Sequence, residues 1–127
     1  MAGISDLSLL LAGMEPVLHP VPYGYAVAAS PVAGTFATVA EDEGLTVIAP
    51  ADALQAAGLE AGPPWARISL TVHSDLAAVG LTAAFARALA DHEISANVVA
   101  GFHHDHIFVP WDRREAALAA LKGLCHV

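Results

Sequence analysis

From Arg67 onward the chain alternates with a period of two. Arg67, Ser69, Thr71 and His73 point one way, and Ile68, Leu70 and Val72 the other, as in a strand with one buried face. Ser74 then stands where it can cap a helix over about residues 75–91, in which Leu81, Phe85, Ala88, Leu89 and His92 share one face. Residues 94–102 alternate again and the chain resumes as a strand at 106–110, so two strands joined by a tight turn at His103-His104-Asp105 are expected. Asp112 and Glu115 form a capping box for a last helix that presents Leu118, Leu121 and Cys125 inward.

The first half is more broken. Leu7, Leu10, Leu11 and Met14 mark a helix over about 6–14, with Ser5 as its N-cap and Ile4 and Leu9 at the staple positions. Residues 23–29 read as a strand, which Pro20 and Pro22 suggest lies at an edge. The acidic turn Glu41-Asp42-Glu43-Gly44 joins strands at 35–40 and 45–49 into a hairpin. Pro50 opens a short helix over 51–57 and Gly58 ends it. The stretch 58–64 is the best internal boundary, giving units 1–62 and 63–127. From Arg67 the order β-α-β-β-α places two helices on one face of an antiparallel sheet, most of a ferredoxin-like α+β unit. One strand is missing, and a strand from the N-terminal half or from a second subunit is expected to fill that edge.

Composition narrows the function. Five Lys plus Arg against 13 Asp plus Glu give 5 − 13 = −8, and all five basic residues lie after Trp65. Nucleic acid and anionic membrane are therefore poor partners, since both need an extended basic face. The chain is 56% hydrophobic, but its longest stretch free of Asp, Glu, Lys and Arg, residues 16–40, is interrupted by Pro20, Pro22, Gly24, Pro31 and Gly34. No membrane-spanning helix is expected. The N-terminus lacks the basic start of a secretory signal, and the one cysteine, Cys125, forms no intrachain disulfide. A cytoplasmic location follows as the expectation.

Three stretches together carry a family likeness. They are Val72-His73-Ser74-Asp75-Leu76-Ala77-Ala78-Val79-Gly80-Leu81-Thr82-Ala83, then 94–100, then His104-Asp105-His106-Ile107-Phe108-Val109-Pro110. The pattern resembles the small bacterial tandem ACT-domain proteins, whose fold also occurs in the cytosolic arginine sensor and in the regulatory tails of aspartate kinases. Upstream, Ile4-Ser5-Asp6-Leu7, Leu10-Leu11, Met14, Pro16, Leu18 and Tyr23 look like that family's opening helix and strand. Glu41-Asp42-Glu43-Gly44-Leu45-Thr46-Val47 looks like its acidic hairpin, with Asp42 in place of a glutamate. The resemblance implies two tandem β-α-β-β-α units and a non-catalytic, regulatory, homodimeric protein that binds a small molecule, an amino acid in the first instance. No cofactor is implied. The rival reading is a structural or protein-interaction module without a ligand.

The expected ligand site is the loop His73, Ser74, Asp75, Leu76, Val79, Gly80, Leu81. A helix starting directly after a strand offers unpaired N–H groups to a carboxylate, and Gly80 leaves room beside them. The bland reading, a plain cap and a packing glycine, stands beside it. Asn97 offers an amide, and Glu43 with Gly44 offers a carboxylate to an ammonium group; a solvated hairpin is the default for the latter. His103, His104, Asp105 and His106 invite a metal reading, but a structural turn is expected and no metal site. The adjacent His73-Ser74-Asp75 is not read as a triad, because neighbouring side chains at a strand end diverge. No catalytic residue is expected.

Overall fold

Asp6 opens the first helix: its Oδ1 accepts the Leu9 N–H at 3.1 Å and its carbonyl accepts from Leu10 at 3.0 Å. The cap thus falls one residue later than Ser5, on a carboxylate that the helix dipole also favours. The computed structural model describes residues 6–71 and 79–125, the side chain of Cys125 excepted. In chain order the elements are α1 (Leu7–Gly13), β1 (Pro16–Leu18), β2 (Tyr23–Ala28), β3 (Ala37–Glu41), β4 (Gly44–Pro50), α2 (Ala51–Ala56), β5 (Trp65–Leu70), α3 (Leu81–Asp91), β6 (Asn97–Ala100), β7 (Asp105–Pro110) and α4 (Arg114–Cys125). They fall into two units, a central one of residues Pro20–Ala66 and a terminal one joining the chain up to His19 with that from Arg67.

In the central unit β4 lies between β3 and β2, antiparallel to both. The hairpin turn is Asp42-Glu43, with Glu41 paired to Gly44. Gly44 sits at φ 148°, and a Cβ there would stand 2.7 Å from Val27 Cγ1, so glycine is required. Val47, Ala49 and Leu54 form the core, covered by Ala26, Leu45, Leu59 and Ala61 among others. Pro50 precedes α2 as expected, and the Ala51 N–H donates to the Pro22 carbonyl at 2.9 Å. The edge expected for β2 is corrected. Pro20 and Pro22 precede the strand, which pairs with β4 from Tyr23 to Ala28 and with β5 at Tyr23↔Trp65.

The terminal unit orders its strands β1-β5-β7-β6. β1 pairs antiparallel with β5, from Pro16↔Leu70 to Leu18↔Ile68, and the His19 N–H to Arg67 carbonyl bond (2.9 Å) extends the ladder. The strand missing from the C-terminal β-α-β-β-α run is therefore supplied by the N-terminal half. One sheet face takes Ile68, Leu70, Ile107 and Val109, all fully buried, with Leu81, Phe85, Leu89, Ala117 and Leu121 from the helices. α4 packs on β1 and β7, and α1 on α3 and α4. Each of these side chains larger than alanine contributes about 1.5–3 kcal/mol by leaving water.

Four expectations shift here. α3 begins at Leu81 rather than near Asp75, because Gly80 adopts a left-handed conformation (φ 99°) that no helix interior accepts. Ile94 closes α3 instead of opening a strand: its N–H donates to the Leu89 carbonyl and that of Glu93 to Ala90, with Glu93 at φ 57°. This is a Schellman cap with glutamate where glycine is usual, and it delays β6 to Asn97. β7 in turn starts at Asp105, the Gly101 N–H to His104 carbonyl bond (2.9 Å) closing the turn before it. Finally, Asp112 does not cap α4. It lies in a 3-10 turn, Trp111–Arg113, that follows Pro110 and leads into the helix.

Candidate functional site

The sheet face opposite the helices in the terminal unit is polar where strand alternation puts His19, Arg67, Ser69 and His106 together. His19 Nε2 and His106 Nδ1 each lie 2.8 Å from Ser69 Oγ, and Arg67 Nη2 lies 3.4 Å from the same His106 Nδ1. A guanidinium only donates, so His106 Nδ1 accepts and the ring carries its proton on Nε2. Ser69 donates its one hydroxyl proton to His106 Nδ1, and its oxygen accepts from His19 Nε2–H. The three residues form one directed chain from His19 through Ser69 to His106. Ser69 is 8% exposed, so this pairing satisfies a hydroxyl that burial would otherwise penalise.

The electrostatics agree. Burial first, and then the charges of Arg67, His104 and His19, lower the His106 pKa to about 4. Burial and then Arg67 also lower that of His19. Both rings are neutral near pH 7. On the neighbouring position of β7, Asp105 is 9% exposed and its carboxyl pKa is raised by burial, with His104 opposing. Alternation directs Asp105 to the helix-covered side and His104 to that of His106. His104 Nδ1 is buried and, among the described residues, has no hydrogen-bond partner. Among the described residues no group of three or more His, Cys, Asp or Glu is placed to hold a metal ion.

The residues expected to bind ligand are placed as follows. His73, Ser74, Asp75 and Leu76 lie outside the described residues. Val79 is 84% exposed, Gly80 is the N-cap of α3 with no capping side chain, and Leu81 turns its side chain into the core. The first-turn N–H groups of α3 therefore begin at Leu81. Gly80 also lies under α1: a Cβ there would stand 3.1 Å from Leu7 Cδ2. Asn97 is exposed on β6 and pairs with Phe108, so it shares the face of His106 rather than the end of α3. Glu43 and Gly44 belong to the central unit's hairpin, where Thr46 Oγ1 donates to the neighbouring Glu41 carboxylate. Trp65 makes an edge contact with Tyr25 (5.9 Å), and the Arg114 guanidinium lies 4.0 Å over Trp111. Sequence reasoning missed His19, Arg67 and Ser69 as a group. Arg67 and Ser69 were visible as the polar side of an alternating strand, but only the pairing of β1 with β5 brings His19 to them.

An antiparallel sheet with helices on one face defines the ferredoxin-like class of α+β proteins. Within it, the chain belongs to the ACT-domain family: two ACT-domain models match in tandem, over residues 2–65 and 60–123. A Vibrio cholerae protein of unknown function, described as a possible transport protein, is 45% identical, with a TM-score of 0.83 over 98% of this chain and 99% of its own. The regulatory subunit of aspartate kinase from Thermus flavus is 15% identical, with a TM-score of 0.65 over 89% of this chain and 98% of its own, a likeness of fold alone. An Agrobacterium tumefaciens protein has a TM-score of 0.74 at 17% identity, over 88% of this chain and 89% of its own. No curated protein matches the chain. No helix among the described residues is long and apolar enough to cross a membrane.

Proposed function

We propose that this chain is a non-catalytic regulatory protein of the cytoplasm that binds a small molecule, an amino acid, and works as a homodimer of tandem ACT-like units, 1–62 and 63–127. The observation that carries the reading is the pair of ACT-domain matches in one chain, since ACT domains are commonly regulatory ligand-binding modules. The start of α3 supports it. Gly80, the N-cap, brings no side chain of its own to the N–H groups from Leu81, and the positive end of the helix dipole favours a carboxylate there. In this reading the ligand contacts come from His73, Ser74, Asp75, Leu76, Val79, Gly80 and Leu81, with Asn97, Glu43 and Gly44 as further candidates.

A thermal-shift screen of the whole chain against the twenty amino acids, repeated with Asp75→Ala, tests this. Binding to the folded form alone stabilises it by about 2.7 kcal/mol at a hundredfold excess over Kd. One amino acid is expected to raise the melting temperature saturably, and the variant to lose that shift. No shift from any amino acid at millimolar concentration would reject the reading in favour of an interaction module.

A further inference from the structure

Strand β3 ends the strand order of the central unit. Among the described strands it pairs with β4 alone, so every second N–H and C=O along it points outward with no strand to receive it. Thr38, Val39, Ala40 and Glu41 are all exposed. Proteins commonly blunt such an edge with lysine or proline, and residues 37–41 hold neither. Register fixes what the edge displays beside its backbone. Val27 and Val39 both pair with Thr46, so the three form one row across one face, and alternation puts Glu41 on the same face two residues along. Val47, next along β4, points into the core with Leu54 of α2, so the row lies on the face away from that helix. Val27 is 63% exposed and Val39 51%.

Charge says what fits there. Residues 20–66 hold five carboxylates, Glu41, Asp42, Glu43, Asp52 and Glu60, and no Lys, Arg or His. Three of the five follow one another at the end of β3, all exposed. We propose that the β3 edge docks an extended, basic segment of another protein, which joins the sheet as a further strand. In that pairing a β-branched apolar residue lies across from Val39, and a Lys or Arg two residues along lies across from Glu41. Each part of the surface has its own task. The outward backbone groups of β3 hold the added strand, the Val27–Val39 row keeps water from its apolar side chain, and the carboxylates select its charge.

A second copy of this chain has no such strand to offer. Of its five Lys and Arg residues only Arg67 lies on a strand, and β5 is enclosed between β1 and β7. Arg87, Arg114 and Lys122 belong to helices, and Arg113 to the 3-10 turn. The terminal unit's edge strand, β6, reads Asn97-Val98-Val99-Ala100 and carries no charge. An acidic segment is repelled by the same carboxylates. The partner is thus a different protein with a basic strand. The amino-acid reading is independent of this surface: its candidates include Glu43 and Gly44, but neither Val39 nor Glu41.

Amide chemical-shift titration of the whole nitrogen-15-labelled chain tests the proposal with the end-blocked peptide Thr-Lys-Thr-Val-Thr-Lys-Thr and with its counterpart in which glutamate replaces lysine. The lysine peptide is expected to give saturable shifts confined to Val27 and residues 37–43, weakening as salt rises, and the glutamate peptide none. Val39→Lys, which places a like charge on the edge, should abolish the binding. Glu41→Lys should weaken the lysine peptide about fivefold and let the glutamate peptide bind. Both positions are exposed, and melting temperatures show whether the variants fold. No saturable shift from the lysine peptide at millimolar concentration would overturn the proposal. So would equal shifts from the glutamate peptide, or binding that survives in a folded Val39→Lys chain. A dimer in sedimentation that Val39→Lys splits, with no peptide bound by the unaltered chain, would overturn it too and give the edge to a second copy. An amino acid that raises the melting temperature would do so equally in Val39→Lys, so the two readings fail separately.

Discussion

Two hairpins carry the conspicuous turns of this chain, and they treat charge in opposite ways. The β3–β4 hairpin bears Glu41, Asp42 and Glu43 at an exposed tip, where one cross-strand hydroxyl, Thr46, engages Glu41. The β6–β7 hairpin bears His103, His104, Asp105 and His106, of which Asp105 is buried and His104 and His106 are half-buried. The difference lies in the neighbours. β3 offers its outer side to no described strand, whereas β7 lies beside β5, whose Arg67 and Ser69 reach its histidine. A charged turn thus remains a solvated feature unless the next strand presents polar side chains to the same face.

The largest effect that sharpens the contrast is removal of the shared hydroxyl. Ser69→Ala strips His19 Nε2 and His106 Nδ1 of their common partner and should cost about 1–3 kcal/mol in urea unfolding. The matching deletion on the acidic hairpin, Thr46→Ala, should cost no more than about 0.5 kcal/mol. Equal losses at the two sites would erase the distinction.

Next comes pH. Folded His106 titrates near 4 and His19 below its ordinary value, while the unfolded chain binds protons at about 6.5. The unfolded state therefore holds more protons between these limits, so stability falls as pH drops from about 6.5 towards 4. Asp105, whose pKa is raised, works in the opposite sense from about 3.8 upward. Melting temperature measured across this range should decline on acidification, and His106→Gln should flatten the decline. A profile unchanged in the variant would mean that His106 is not held neutral by the fold.

A smaller effect concerns the backbone. Glu93 occupies the left-handed position after α3, so Glu93→Gly should stabilise the terminal unit by about 1 kcal/mol, read from the urea midpoint. Gly80→Ala, at φ 99° and 3.1 Å from Leu7 Cδ2, should destabilise by a similar amount.

The same contrast explains what was legible in the sequence. Local signals survived: the acidic hairpin, the helix opened by Pro50, the buried face of Leu81, Phe85 and Leu89, and the family likeness, which the ACT-domain matches confirm. Caps and helix starts moved by one to several residues, because competing residues such as Ser5 and Asp6 both cap well, and because a left-handed glycine, Gly80, sits directly before α3. The cluster on the polar face was not legible. Its members are separated by 50 residues from His19 to Ser69 and 37 from Ser69 to His106, and only the pairing of β1 with β5 unites them.

The central claim is that the terminal unit holds a neutral, directed His19–Ser69–His106 chain under Arg67. Nitrogen-15 NMR of the histidine rings at pH 7 tests it most directly. The account predicts a neutral His106 with its proton on Nε2 and a neutral His19 likewise protonated on Nε2. A charged His106, or one with its proton on Nδ1, would contradict it, because neither form can accept from Arg67 and Ser69 together.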